Sequence, residues 1–311
     1  MNKLQRIRGV LLPLPTIFDG HGKVDEPLLR DLTRFYLEKG VHAFFLCGSY
    51  GQGPAMSSGQ RKHVVSLVAD EVANRAPIVV HIGSVDPYTA IELGRHARSV
   101  NADAVALVGP YYYSDRLPDE IILHFKMIDE AVQLPLLVYD NPMYQGYDMA
   151  PNFIARLAEV IPRAFGLSFG TSENLLTLED ARRYMNLRPD WALFASSRIL
   201  MPGMLEGLRG TMSPSLTLAP ELGVALVRAI DDGRHDEARW LQTLVLELGQ
   251  TLGRLMETYG RGPNLEGLRA LGFPIKQYPR WPTLPLPDSE RIHFLDVLKR
   301  VRGATEWMLR K

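Results

Sequence analysis

The sequence predicts an α/β chain folded as a (β/α)8 TIM barrel with a C-terminal helical extension. Three observations carry that prediction. Short apolar runs recur about every 25–35 residues, each followed by a segment with helical periodicity. Eight such units fit in order up to residue 232, and regular strand–helix alternation calls for a parallel sheet. Beyond residue 232 the alternation stops and amphipathic helical patterns take over. The expected organisation is a barrel over 1–232 and a helical region over 233–311 packed on it.

The first strand is expected over 9–16. Asp25 and Pro27 then start a helix with Leu28, Leu32, Phe35 and Tyr36 on one face. Strand two covers 42–48, and Ser57 or Ser58 caps the helix carrying Val64, Val65, Leu67, Val68 and Val72. Strand three is 77–83, with Asp86-Pro87 opening the next helix. Strand four, 103–108, runs into Gly109-Pro110-Tyr111-Tyr112-Tyr113, and Pro118 begins its helix. Strand five is 134–139, with Ala150-Pro151 starting the helix behind it. Strand six ends Phe165-Gly166-Leu167-Ser168, and small residues separate it from a helical pattern beginning at Glu173. Strand seven is 191–195, and strand eight is 210–213 with a helix over 216–230. In the C-terminal region a helix over 235–259 places Trp240, Leu241, Leu244, Leu248, Leu252 and Leu255 in one stripe. Helices over 264–271 and 289–309 follow.

An open doubly wound sheet is the runner-up. It would carry a phosphate-binding loop after an early strand, and Gly48-Ser49-Tyr50-Gly51-Gln52-Gly53 lacks both the dinucleotide spacing and a P-loop lysine. Lysine plus arginine and aspartate plus glutamate both total 35, which gives no net charge to draw the 311-residue chain to nucleic acid or an anionic membrane. No apolar run reaches the roughly 18 residues that span a bilayer. Cys47, the one cysteine, excludes an internal disulfide and suits a reducing compartment. A cytoplasmic protein without cofactor is expected.

In a parallel barrel the C-terminal strand ends build the site. Those ends supply Thr16, Ser49, Tyr50, His81, Ser84, Tyr111, Tyr112, Tyr113, Tyr139, Asp140, Asn141, Ser168, Ser196, Ser197, Arg198, Ser213 and Ser215. Such a lining is rich in hydroxyls and poor in charge. Only His81 and Asp140 resemble metal ligands, too few for a metal-assisted reaction.

The order Leu14-Pro15-Thr16, Gly22-Lys23-Val24-Asp25, Gly48-Ser49-Tyr50-Gly51, Gly109-Pro110-Tyr111-Tyr112, Tyr139-Asp140-Asn141-Pro142 and Phe165-Gly166-Leu167 resembles the dihydrodipicolinate synthase / N-acetylneuraminate lyase family. The resemblance runs from about Gly9 to Ile275. It implies a barrel with C-terminal helices, assembled as a homotetramer of tight dimers, and class I aldolase-type lyase chemistry on pyruvate and similar 2-keto acids. By this resemblance Tyr139 handles protons, Tyr112 reaches across the tight dimer, and Ser49 is the first hydroxyl of the turn that binds the keto-acid carboxylate. Tyr50 stands where the second turn hydroxyl is usual, Gln52 where an acid is usual, and Tyr144 where synthases place an arginine. The resemblance puts Ser168 at the position of the Schiff-base lysine.

A serine hydroxyl can form a hemiketal, which stabilises no carbanion; an imine needs an amine. Lys3, Lys23, Lys39, Lys62, Lys126, Lys276, Lys299 and Lys311 are the chain's lysines, and none ends a predicted strand. Two functions then compete. One is an enzyme with altered chemistry, with His81 as general acid or base beside Tyr139 and Tyr112. The other is a non-catalytic binder or partner subunit, a pseudoenzyme. In both, Ser49, Tyr50, Ser168, Tyr144 and Ser196 are the expected contacts to a small carboxylate or keto-acid ligand, and the protein is a dimer or tetramer. A histidine that merely fills space is the bland alternative for His81.

Overall fold

In the computed structural model, which describes residues 3–113, 115–169 and 177–309, eight parallel strands pair in chain order and close into a barrel. They are β1 (Gly9–Pro13), β2 (Ala43–Leu46), β3 (Ile78–His81), β4 (Ala104–Val108), β5 (Leu136–Tyr139), β6 (Ala164–Ser168), β7 (Ala192–Ala195) and β8 (Gly210–Thr211). The first strand–helix units carry α1 (Glu26–Glu38), α2 (Ser58–Val72), α3 (Pro87–Ser99) and α4 (Pro118–Val132). After β5 come a one-turn α5 (Pro142–Gln145) and α6 (Pro151–Val160), then α7 (Leu178–Leu187), α8 (Leu200–Glu206) and α9 (Pro220–Asp231). The chain ends with α10 (His235–Tyr259), α11 (Gly262–Arg269) and α12 (Asp288–Leu309).

Strand residues alternate between two cores, which is why the strands read as continuous apolar runs. Leu11, Ala43, Phe45, Val79, Ala104, Ala106, Leu137, Ala192 and Phe194 fill the barrel interior. Val10, Leu12, Phe44, Leu46, Val80, Val105, Leu107 and Val138 face the helices. The barrel closes where Gly9 pairs with Gly210 across β1 and β8. A Cβ on Gly210 would lie 1.9 Å from the Gly9 carbonyl oxygen, so closure at that seam requires glycine.

Helix starts follow local chemistry. Asp25 accepts from Leu28 N, Ser57 and Gln60 form a capping box, and Asp86 accepts from Thr89 N. Of the two serines considered, Ser57 is the cap. The strands are shorter than their apolar runs because the flanking residues turn into loops. The helix expected over 216–230 is two pieces, a 3-10 turn over Pro214–Thr217 and then α9, since Pro220 restarts the helix at its first turn. The sequence reading also lacked α5 and α8. Both are short, and Pro202 and Gly203 hide the period of α8. The helix start expected at Glu173 lies outside the described residues; α7 begins after Thr177, which accepts from Asp180 N.

The C-terminal helices join the outer core of the barrel. Leu241, Leu244, Leu248, Leu252 and Leu255 are buried along α10, while Trp240 is half-buried. Buried Gln242 accepts from Met201 N and donates to Ser197 O, fastening α10 to the loop after β7. The proline-rich chain beyond α11 returns to the segment after β1, where Phe18 N donates to Gln277 O. Among the described residues no helix is long and apolar enough to cross a membrane.

Candidate binding pocket at the barrel mouth

The C-terminal ends of the strands open into a pocket of about 370 Å³. Phe45 and Tyr139 belong both to the barrel's inner core and to the pocket lining, so they divide one from the other. The loops after β2, β5, β7 and β8 supply the sides. Helix α10 and the break that follows it supply the outer wall through Gly249, Leu252, Gly253, Met256, Glu257, Gly260 and Arg261.

The turn after β2 is tightly folded. Cys47 and Gln52 both have positive φ, and a Cβ on Gly53 would lie 1.8 Å from the Cys47 carbonyl oxygen. Ser49 and Tyr50 line the pocket. The Tyr50 hydroxyl, however, is engaged with Thr217 Oγ1 at 3.0 Å. Its ring packs on Tyr278 at 5.4 Å, and Tyr278 Oη donates to Tyr50 O at 2.8 Å. Burial pushes the Tyr50 phenol up to about 12, so it stays protonated at neutral pH. Gln52 Nε2 donates to Ser49 O and Gln52 Oε1 accepts from Arg280 N, so the C-terminal segment clamps this turn from outside. Thr16 also serves the turn, donating to Gly51 O at 2.6 Å.

At the end of β5, Asn141 Nδ2 donates to the Tyr139 hydroxyl at 2.7 Å, and both residues line the pocket. Asp140, between them, points elsewhere: its Oδ1 accepts from Gln145 Nε2 at 2.6 Å and from Met149 N at 3.4 Å. Burial raises its carboxyl to about 7. Gln145 Oε1 in turn accepts from Asn141 N, which ties Asp140 to the residue holding Tyr139.

Ser168 pairs with Tyr139 across the β5–β6 ladder, and its carbonyl accepts from Asp140 N at 2.9 Å. Its side chain is buried, has no hydrogen-bond partner among the described residues, and is absent from the pocket lining. His81 is also outside the lining. Its ring lies edge-on to Tyr139 at 5.6 Å, and Nδ1–H donates to Cys47 O at 3.1 Å. Burial, reinforced by the Arg61 guanidinium, lowers it to about 3. Such a histidine is neutral at pH 7, buried against Tyr139 and off the pocket lining. Tyr112 is 81% exposed with φ 75° and packs on Tyr113, so one copy of the chain keeps it out of this pocket.

The structure therefore brings together Ser49, Tyr50, Tyr139, Tyr144 and Ser196, and leaves His81, Ser168 and Tyr112 off the lining. Ser197, Ser213 and Ser215, also expected at the strand ends, line it as a hydroxyl chain, Ser197 to Ser213 to Ser215, at 3.0 and 3.1 Å. The structure adds Arg261, which no strand-end position predicts. The signal available for it was an arginine between Gly260 and Gly262, where the longest helix breaks. No described lysine lines the pocket. Among the described residues no three His, Cys, Asp or Glu side chains converge as a metal set.

A closed parallel barrel with a pocket at its C-terminal face, lined by hydroxyls and apolar side chains and rimmed by helices, defines a (β/α)8-barrel protein with its candidate site at the strand ends. The chain belongs to the dihydrodipicolinate synthetase family, whose pattern matches residues 6–301. An uncharacterized DapA-like lyase of Halobacterium salinarum is 30% identical over 265 residues, covering 85% of this chain and 83% of the relative. Escherichia coli YagE, a prophage protein of the dihydrodipicolinic acid synthase family solved in complex with pyruvate, superposes with a TM-score of 0.86 at 23% identity, over 95% of this chain and 99% of YagE. A catalytic lysine mutant of Ruminococcus gnavus sialic acid aldolase superposes with a TM-score of 0.84 at 20% identity, over 99% of both chains. These two structures carry the fold.

Proposed function

We propose that this chain keeps the keto-acid-type pocket of its family and forms no lysine Schiff base, acting as a binder of a small carboxylate compound. One observation carries the reading: the residue that ends β6 beside Tyr139 is Ser168, and no described lysine reaches the pocket. Imine chemistry needs an amine within bonding distance of the bound carbonyl, and hydroxyls cannot replace it as an electron sink. Ser49 and the turn after β2 would receive the carboxylate, with Ser196 and Tyr144 along the sides. The neutral, enclosed His81 weakens the case for a replacement acid–base centre.

The second reading is a lyase with altered chemistry, in which the Tyr139 hydroxyl, held by Asn141, moves a proton on a small carbonyl compound. We also infer a homo-oligomer, supported by exposed Tyr112 and Tyr113 on the loop after β4. Calorimetric titration with pyruvate, paired with a carbonyl-turnover assay, tests the main proposal. Saturable binding without turnover supports it. Turnover supports the second reading, and absence of binding contradicts both.

A further inference from the structure

Arg261 is the pocket feature that neither the family resemblance nor the sequence reading uses. It stands at the break between α10 and α11, half-buried in the pocket wall. Its guanidinium donates to the Tyr144 hydroxyl, another lining residue. Among the described residues no carboxylate pairs with it: Glu257, the one acid of the lining, is not a partner, and the titratable groups nearest it, Tyr144, Tyr278 and Tyr50, are phenols. A guanidinium has five N–H donors and is always charged, so one phenol leaves most of its capacity unused. Because the Tyr144 oxygen accepts from Arg261, its own O–H is free to donate. Together the two residues present several donors and a fixed positive charge, a good match for a carboxylate.

Space beside this pair is cleared by glycine. Gly249 and Gly253, one turn apart on α10, and Gly260 just beyond the end of the helix all line the pocket. A Cβ on Gly249 or on Gly260 would meet nothing within 4 Å, so no packing demand explains the missing side chain at Gly249. Glycine inside a helix costs roughly 0.5–1 kcal/mol relative to alanine, so the α10 wall is thinned at some expense. The cavity of about 370 Å³ falls within the roughly 300–1,000 Å³ of small-molecule sites, and a three-carbon keto acid leaves much of it open.

We propose that the ligand is an extended 2-oxo dicarboxylate, whose distal carboxylate is received by Arg261 and Tyr144 in the space left by the α10 glycines. This rests on the keto-acid reading above and specifies its ligand class. The first carboxylate belongs to the turn after β2, where Ser49 remains available while the Tyr50 hydroxyl is taken by Thr217. The distal group must then be acidic and must lie a few carbons away.

The test is calorimetric titration of the full chain with three probes: pyruvate, 2-oxoglutarate, and the 5-methyl ester of 2-oxoglutarate, which keeps the chain and the 2-oxo group with a neutral distal end. The wild-type protein is expected to bind 2-oxoglutarate at least ten-fold more tightly than either other probe. Arg261→Gln should remove that advantage and leave pyruvate affinity within about two-fold. Gly249→Leu, which has room to fold normally, should weaken 2-oxoglutarate and spare pyruvate. If Arg261→Gln weakens pyruvate and 2-oxoglutarate alike, or if the 5-methyl ester binds as tightly as 2-oxoglutarate, the distal-acid proposal is overturned while the keto-acid reading stands. If no probe binds, the keto-acid reading fails and takes this proposal with it.

Discussion

Tyr139 and Ser168 are register partners at the C-terminal ends of β5 and β6, and the backbone N–H of Asp140 locks the two ends together by donating to Ser168 O. The phenol to which the family resemblance gives proton handling is thus placed beside a side chain that cannot form an imine. That juxtaposition makes Ser168→Lys the natural gain-of-function change. Burial would hold the new amine partly neutral and nucleophilic, at an overpacking cost of roughly 1–3 kcal/mol. The variant is expected to acquire a borohydride-stable adduct with pyruvate, detected by mass spectrometry of the intact protein. A folded variant that remains unlabelled would show that the pocket does not deliver a carbonyl to this position.

Tyr139 and Asn141 should behave as a coupled pair. Tyr139→Phe leaves the buried Asn141 Nδ2 without the phenol it donates to, with an expected loss of about 1–3 kcal/mol. In a double-mutant cycle with Asn141→Ala, urea denaturation should give a combined loss smaller than the sum of the two. Additive losses would show that the hydrogen bond holds nothing in place.

Stability should depend on pH below neutrality through two sets of groups that act in opposite directions. Asp140 titrates near 7 in the fold against 3.8 as its ordinary value, so the folded state keeps a proton that the unfolded state has lost. Stability from this group therefore falls as pH rises from about 4 to about 7, by up to about 4 kcal/mol, and is level above that. Asp140→Asn should flatten this decline, since its Oδ1 can still accept from Gln145 and Met149. His81, lowered to about 3, and His42 and His124, each lowered to about 4, act oppositely. Their contribution is complete above pH 6.5 and is lost as pH falls towards those values. Chemical denaturation at pH 4, 6 and 8 checks both limbs, and an Asp140→Asn curve parallel to wild type would refute the assignment.

The exposed Tyr112 gives the oligomer proposal a direct lever. Tyr112→Asp places a charge on a side chain that is 81% exposed in the single chain, so it should leave monomer stability within about 0.5 kcal/mol. If this loop joins two copies, sedimentation should show a shift towards monomer. An unchanged sedimentation profile would remove Tyr112 from any interface.

How much of this was legible in the sequence follows from the physics of each part. Parallel strands are apolar on both faces, so 78–81 and 104–108 stand out without a partner in view, and Asp25, Ser57 and Asp86 announce their helices through side-chain caps. Helix α10 was legible to its ends because its stripe is long and uninterrupted. Strand-end position also led to Ser49, Tyr139 and Ser196. It could not tell which strand-end side chains turn into the pocket, and so it included His81, which packs beneath Tyr139. Arg261 was illegible for the opposite reason. It comes from outside the barrel, and only the packing of α10 against the rim brings it to the pocket.

The account turns on Ser168, and borohydride trapping of the wild-type protein with pyruvate tests it most directly. The expected result is an unchanged intact mass and no modified tryptic peptide, under conditions that label a lysine-bearing aldolase. A pyruvate-derived mass increase on a peptide containing any of the chain's lysines would contradict it.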